Sequence, residues 1–204
     1  MESIRAFVAI ELSEPLRASL AAVQAQLKRA PVAHIGRWVR PELVHLTLKF
    51  LGDIGADRIE AIEQAITGAC RAVEPFSVSL GATGFFPDAR TMRTVWVGLG
   101  GDVGSLARLQ SSLESALGSQ GFAAEKRGFQ PHLTLARIRD QTRPEEREDL
   151  AKRVTAASVD GSVSMVVREV NLIKSELRPD GPAYTRLACI ALGRGVDDAL
   201  SQPA

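Results

Sequence analysis

Several residue types are scarce in this chain, and each shortage removes a class of function. Cys70 and Cys189 are the only cysteines, too few for a disulfide framework, and their positions match no metal-binding spacing. Phe, Trp and Tyr make up 5% of the residues, which argues against a broad base-stacking platform. Net charge is only +1, so no whole-molecule field draws in polyanions, and anion binding must come from local Arg and Lys. Long apolar runs are missing. The run nearest the start, Ala6 to Ile10 between Arg5 and Glu11, is too short for a signal-peptide core or a membrane span. The expectation is a cytoplasmic protein that does not engage a membrane. Also missing are a Gly-rich phosphate loop, a His-Glu-x-x-His helix and a Ser or Cys nucleophile motif.

What remains is an ordinary globular composition, 45% apolar and 24% charged over 204 residues, enough to bury a substantial core. Ile4 to Leu12 reads as a buried strand, and Ser13 as the cap of a helix with Pro15 in its first turn. Leu16, Leu20, Val23 and Leu27 form its apolar stripe, which Pro31 closes. His34 to Arg40 is expected to be extended. Leu43 to Leu51 reads as a strand that Gly52-Asp53-Ile54-Gly55 breaks. Asp57 and Glu60 resemble a capping box for a helix through Ile59, Ile62, Ile66, Ala69 and Val73, with Cys70 a buried free thiol. Phe76 to Leu80 and Arg93 to Leu99 are strands flanking a loop with Gly84-Phe85-Phe86-Pro87. Asp102 opens a helix striped by Leu106, Leu109, Leu113 and Leu117. An extended piece over Phe122 to Gly128 and a strand over Gln130 to Ile138 follow. Thr142-Arg143-Pro144-Glu145 reads as a capping box for a helix to about Ala157, and a final hairpin turns at Arg178 to Pro182. About eight strands and four helices in this order indicate an α+β fold with antiparallel sheets. Residues 1–195 are expected to form one bilobal domain, and 196–204 a frayed tail.

The feature that stands out is a repeat. His45-Leu46-Thr47-Leu48 returns as His132-Leu133-Thr134-Leu135, and these are two of only three histidines. On a strand, alternate side chains share a face, so each copy presents an imidazole and a hydroxyl on one side and two leucines on the other. Imidazole takes or gives a proton near neutral pH. Two of them across a reacting centre can activate a nucleophile and protonate a leaving group, an arrangement suited to in-line phosphoryl chemistry. Thr hydroxyls beside them can donate to non-bridging oxygens. Metal ligation by this pair would lack further ligands at suitable spacing, so no metal or cofactor is expected. His34 has neither a Thr partner nor a repeat and reads as a structural or surface group.

With the stretches Phe7-Val8-Ala9-Ile10, Arg37-Trp38-Val39, His45 to Gly52, Pro131 to Arg137, Ser175-Glu176-Leu177 and Gly181 to Tyr184, the whole chain resembles the 2H phosphoesterases. Within them it is most similar to the RNA 2′,3′-cyclic phosphodiesterase branch, the LigT-like or 2′-5′ RNA ligase family. That resemblance implies two pseudo-symmetric lobes of antiparallel sheet with outer helices and the two motif strands lining a cleft. It implies metal-free opening of RNA 2′,3′-cyclic phosphodiester ends, or of small cyclic nucleotides, to 2′-phosphates by a monomer. His45 then matches the proton donor, His132 the proton acceptor, and Thr47 and Thr134 the phosphate-binding hydroxyls. Phe50 and Arg137, five residues after each His, match a clamp on the terminal base, with Arg93 and Arg127 adding positive charge at the rim. The identical tetrapeptides do not themselves say which imidazole is the acid. The odd offset of five also puts Phe50 and Arg137 on the wrong face of a regular strand. Either the strand bulges, or these two are structural. Alternatives are a reversible 2′-5′ RNA ligase, an esterase for another small cyclic or 2′-5′ nucleotide, and a non-catalytic RNA-end-binding module.

Overall fold

A computed structural model describes residues 3–125, 128–179 and 181–193. The expected tail beyond residue 195 and the rim residue Arg127 lie outside them. Nine strands and four helices follow in the order β1 (Ser3–Glu11), α1 (Glu14–Lys28), β2 (Gly36–Trp38), β3 (His45–Gly55), α2 (Ile59–Cys70), β4 (Phe76–Phe86) and β5 (Thr94–Gly101). Then come α3 (Val103–Ser119), β6 (His132–Ile138), α4 (Pro144–Thr155), β7 (Ser164–Val167), β8 (Glu169–Arg178) and β9 (Gly181–Ala191). One sheet runs β3-β1-β8-β9 and the other β2-β6-β5-β4-β7, with every pairing antiparallel.

The fold is the expected α+β arrangement of two similar lobes. Each motif strand pairs with an earlier strand across a helix, β1, α1 and β3 in one lobe and β5, α3 and β6 in the other, and β2, between α1 and β3, joins the second sheet beside β6. The lobes also trade material, since β8 and β9 from the end of the chain complete the sheet begun by β1. The apolar stripes behave as their spacing predicts. Leu16, Leu20, Val23 and Leu27 of α1 and Leu106, Leu109, Leu113 and Leu117 of α3 join a cluster that also takes in Ile62 and Ile66 of α2 and Leu150 of α4. Cys70 is buried in it, and burial pushes its thiol up to about 12. Among the described residues no helix is long and apolar enough to cross a membrane.

Local departures from the sequence reading have local causes. Gly52 to Gly55 do not break β3. The strand continues through them against β1, with Gly52 absorbing the bend at φ +70°. Likewise β4 runs on to Phe86, because a bulge between Leu80 and Thr83 resets its register against β5. Gly81 passes so close to β5 that a Cβ there would sit 3.1 Å from the Leu99 carbonyl. A 3-10 turn over Pro31–Ile35 takes up His34 and Ile35, the first two residues of the expected extended piece, and β2 forms within the rest. Residues 122–125 and 128 form no strand. Asp57 and Glu60 make no capping box, since a short 3-10 turn over Ala56–Arg58 leads into α2. The box at α4 forms one residue later than expected, with Glu146 accepting from the Arg143 N–H at 3.2 Å. Ser13 occupies the α1 cap position without a side-chain capping bond.

Candidate active site

The two motif strands belong to different sheets, yet β3 and β6 approach within 8 Å, Cα to Cα. Each histidine is the first residue of its strand, and each is held the same way. Nδ1 of His45 lies 2.9 Å from the Leu43 carbonyl oxygen, and Nδ1 of His132 lies 2.7 Å from that of Gln130. Both partners stand two residues upstream. A carbonyl only accepts, so Nδ1 carries a proton in both rings and Nε2 is left as the atom that can gain or lose one.

The strands share a second device. Opposite β1, Val8 pairs with Lys49 and Ala9 with Thr47, which leaves Leu48 as an extra residue. Opposite β5, Val95 pairs with Ala136 and Trp96 with Thr134, which leaves Leu135 extra. Each bulge lies three residues after its His. It turns two successive side chains inward, Leu48 with Lys49 and Leu135 with Ala136, all buried. The next residue therefore returns to the face of the imidazole and hydroxyl. Phe50 is 59% exposed there and Arg137 is exposed at the equivalent place. The bulge resolves the odd offset.

Different partners stabilise the two bulges. In β6 the Leu135 carbonyl accepts from the Val39 N–H at 2.8 Å and from Nε2 of Gln24 at 3.0 Å. In β3 the buried Lys49 donates to Oε1 of Glu114 at 2.6 Å and to the Ala123 carbonyl at 2.5 Å. Burial opposes the Glu114 charge, but the Lys49 hydrogen bond and the Glu125 N–H together hold its pKa below the usual value.

The rings around the histidines differ. His45 stacks on Phe7 at 4.6 Å and meets the edge of Tyr184 at 5.2 Å. His132 meets Phe86 edge-on at 5.1 Å and Trp96 at 6.3 Å. Burial lowers the His45 pKa, while the Leu43 carbonyl and the Glu11 carboxylate pull the other way. Glu11 is paired with Arg186 and lies 3.4 Å from Nδ2 of the fully buried Asn171. Thr47 and Thr134 are half-buried on the same face as the histidines, and no group among the described residues engages their hydroxyls.

Tyr184 belongs to the site although the sequence resemblance gives it no role. The hairpin register of β8 and β9, Ser175 opposite Tyr184, carries it to His45. Burial raises its phenol pKa, and Arg137 from the opposite sheet partly offsets this. Its being the only tyrosine was the available signal. Arg93 is not brought to the histidines. It is exposed at the far end of β6, where its carbonyl takes the Ile138 N–H. His34 is a surface group whose Nε2 lies 3.6 Å from Glu146. Among the described residues no three His, Cys, Asp or Glu side chains are grouped to hold a metal ion.

This geometry has relatives. Residues 12–178 match the 2′-5′ RNA ligase superfamily. The chain belongs to that superfamily. It is 38% identical over 189 residues to an RNA 2′,3′-cyclic phosphodiesterase of Methanothermobacter thermautotrophicus, a match covering 93% of this chain and 99% of the relative. A namesake from Archaeoglobus fulgidus is 31% identical over 90% of this chain and 98% of its own. Among solved structures, Escherichia coli LigT superposes with a TM-score of 0.74 at 29% identity, covering 95% of this chain and all of LigT. A Thermus thermophilus protein superposes with a TM-score of 0.77 at 28% identity, over 94% of this chain and all of that one.

Proposed function

We propose that this enzyme opens RNA 2′,3′-cyclic phosphodiester ends to 2′-phosphomonoesters by a two-histidine acid/base mechanism. The observation that carries the proposal is the doubled strand in which an identical carbonyl bond and an identical bulge present Nε2, a hydroxyl and the fifth residue on one face. Binding alone has no need for two such imidazoles.

His132 takes a proton from water through Nε2 as the water oxygen attacks phosphorus. His45 gives its Nε2 proton to the departing O3′ on the opposite side. A P–O bond to water forms, the P–O3′ bond breaks, and the phosphate stays on O2′. Thr47 and Thr134 donate to the non-bridging oxygens, which hold the charge in place through the transition state. Phe50 and Arg137 bracket the terminal base, a ring on one side and a planar guanidinium on the other. The assignment of acid to His45 follows the family resemblance; burial lowers its pKa, and the Leu43 carbonyl and the Glu11 carboxylate across from it oppose that, whereas His132 has Gly98 at the corresponding place. A nucleotide in the neighbouring LigT structure, 3′-AMP, is consistent with a substrate of this size. The substrate is then an RNA end or a small cyclic nucleotide, and the setting a cytoplasmic one.

The decisive experiment incubates purified protein with 2′,3′-cyclic nucleotides in the presence of chelator and identifies the product. A 2′-phosphate that disappears in His45→Ala and His132→Ala is the expected result. Full turnover in either variant, or a 3′-phosphate product, sinks the proposal.

A further inference from the structure

The two sheets differ at the edge beside the motif strand. Among the described residues β3 is outermost in one sheet, whereas in the other the short strand β2 lies outside β6. Two of the three β2 residues face inward. Trp38 packs against the core with its Nε1 donating to the Ala33 carbonyl at 2.9 Å. A Cβ on Gly36 would sit 3.1 Å from that indole and 3.4 Å from the Ala136 side chain. Arg37, between them, faces the other way. It stands directly opposite Arg137, which the β6 bulge has turned to the face of His132 and Thr134. Directly opposite residues of an antiparallel pair share a face, with Cβ atoms about 5 Å apart, and like charges there repel. Both guanidiniums are exposed, and among the described residues no carboxylate pairs with either. Two neighbouring cations without a counter-ion make a place for an anion.

The stereochemistry of a ribonucleotide says which anion. The base and C5′ project from one face of the sugar, and O2′ and O3′ from the other. With the cyclic phosphate at the histidines and the base between Phe50 and Arg137, C5′ is turned toward the clamp end of the cleft. That is the end where β2 pairs with β6, over Ala136 to Ile138. A free cyclic nucleotide carries a neutral hydroxyl on C5′, whereas an RNA end carries a phosphate there. We infer that Arg37 binds the phosphate on the 5′ side of the terminal nucleoside, and that the enzyme thereby favours ends bearing this phosphate over free cyclic nucleotides. The inference rests on the proposed placement of the terminal base and the cyclic phosphate. Arg137 stays over the base, and the fork of Arg37 offers two parallel N–H bonds to the phosphate oxygens. The phosphate it holds does not react. Its contact is therefore the same before and during the chemical step, and its loss shows in KM and not in kcat.

The test compares 2′,3′-cyclic AMP with and without an added 5′-phosphate. Wild type is expected to show a KM on the order of tenfold lower for the 5′-phosphorylated substrate, with kcat alike. Arg37→Gln is expected to erase that difference, and Arg37→Lys, which keeps the charge but not the fork, to retain part of it. Both variants should open 2′,3′-cyclic AMP itself near the wild-type rate, which also reports that they are folded. Equal KM for the two substrates in wild type overturns the inference, as does an advantage that survives Arg37→Gln. Equal loss on both substrates would mean that Arg37 merely steadies β2 beside Arg137, and overturns it too. So does an advantage conferred by a whole upstream nucleoside in a dinucleotide but not by the 5′-phosphate alone. Wild type that opens neither substrate strikes the proposed function instead.

Discussion

Glu11 stands directly across the β1–β3 ladder from His45. The corresponding place across from His132 is Gly98, which has no side chain to carry charge. Two identical tetrapeptides are thus made unequal by their neighbours. Tyr184 of β9 meets the His45 ring, and Arg186 of the same strand pairs with Glu11.

Replacing Glu11 tests this asymmetry. Burial holds His45 low and Glu11 opposes it, so Glu11→Gln is expected to lower the His45 titration further. With three histidines in the chain, their ring signals are easily followed by NMR. An unmoved His45 titration would show that the carboxylate does not act on the ring.

The two histidines are expected to fail together. His45→Ala and His132→Ala each lose roughly 100- to 10,000-fold in kcat. The double variant is expected to be little worse than either, because the pair acts as one unit. Rate against pH is expected to be bell-shaped, as His45 must start protonated and His132 neutral. Steady-state kinetics across the pH range measure both.

Lys49 and Glu114 predict a stability effect. Glu114→Gln leaves the Lys49 ammonium buried without its charge partner, at a cost of about 3 kcal/mol in urea unfolding. Lys49→Met removes the buried charge itself and is expected to cost less. The sign with pH follows from Glu114. Its native pKa is depressed, so its contribution is present above the unfolded value and lost as pH falls through the native one. His45, also depressed, acts in the same direction from about pH 6.5 downward, because its buried neutral ring must take up a proton. Acid unfolding of wild type against Glu114→Gln reads the difference.

Gln24 holds the second bulge. Gln24→Leu leaves the Leu135 and Val39 carbonyls without its amide, and a loss of about 1–3 kcal/mol is expected. If the bulge relaxes, Arg137 turns off the active face, so KM is expected to rise more than kcat falls. Kinetics of Gln24→Leu beside Arg137→Ala show whether the two share this signature.

The Arg137 charge, on one sheet, acts on Tyr184 of the other. Since the guanidinium partly offsets the burial of the phenol, Arg137→Met is expected to move the tyrosine titration upward. The chain has one tyrosine, so ultraviolet absorbance follows it without interference. An unchanged titration means the two side chains do not meet in solution.

Much of this was legible because it depends on periodicity. Leu16 to Leu27 and Leu106 to Leu117 announced α1 and α3, and the doubled His-Leu-Thr-Leu announced two half-buried strands. The bulges at Leu48 and Leu135 were not legible, since a bulge is set by pairing with β1 and β5 and neither partner is visible locally. Phe50 and Arg137 could therefore be named, but not placed. The low aromatic content was a fair count and a poor guide. Phe7, Phe50 and Tyr184 gather beside His45, and Phe86 and Trp96 beside His132, through strand pairings distant in sequence. Gly52 and Gly81 misled for a related reason, because each marks a bend within a continuing strand.

The trading of strands between lobes has a consequence for synthesis. Tyr184 and Arg186, which stand beside His45 and its Glu11, arrive on β9, the last strand described. During translation the His132 half can assemble while the sheet of β1 and β3 still waits for β8 and β9. The His45 half of the centre is finished last, so a chain cut short before β9 lacks the phenol beside His45 and the guanidinium that pairs with Glu11.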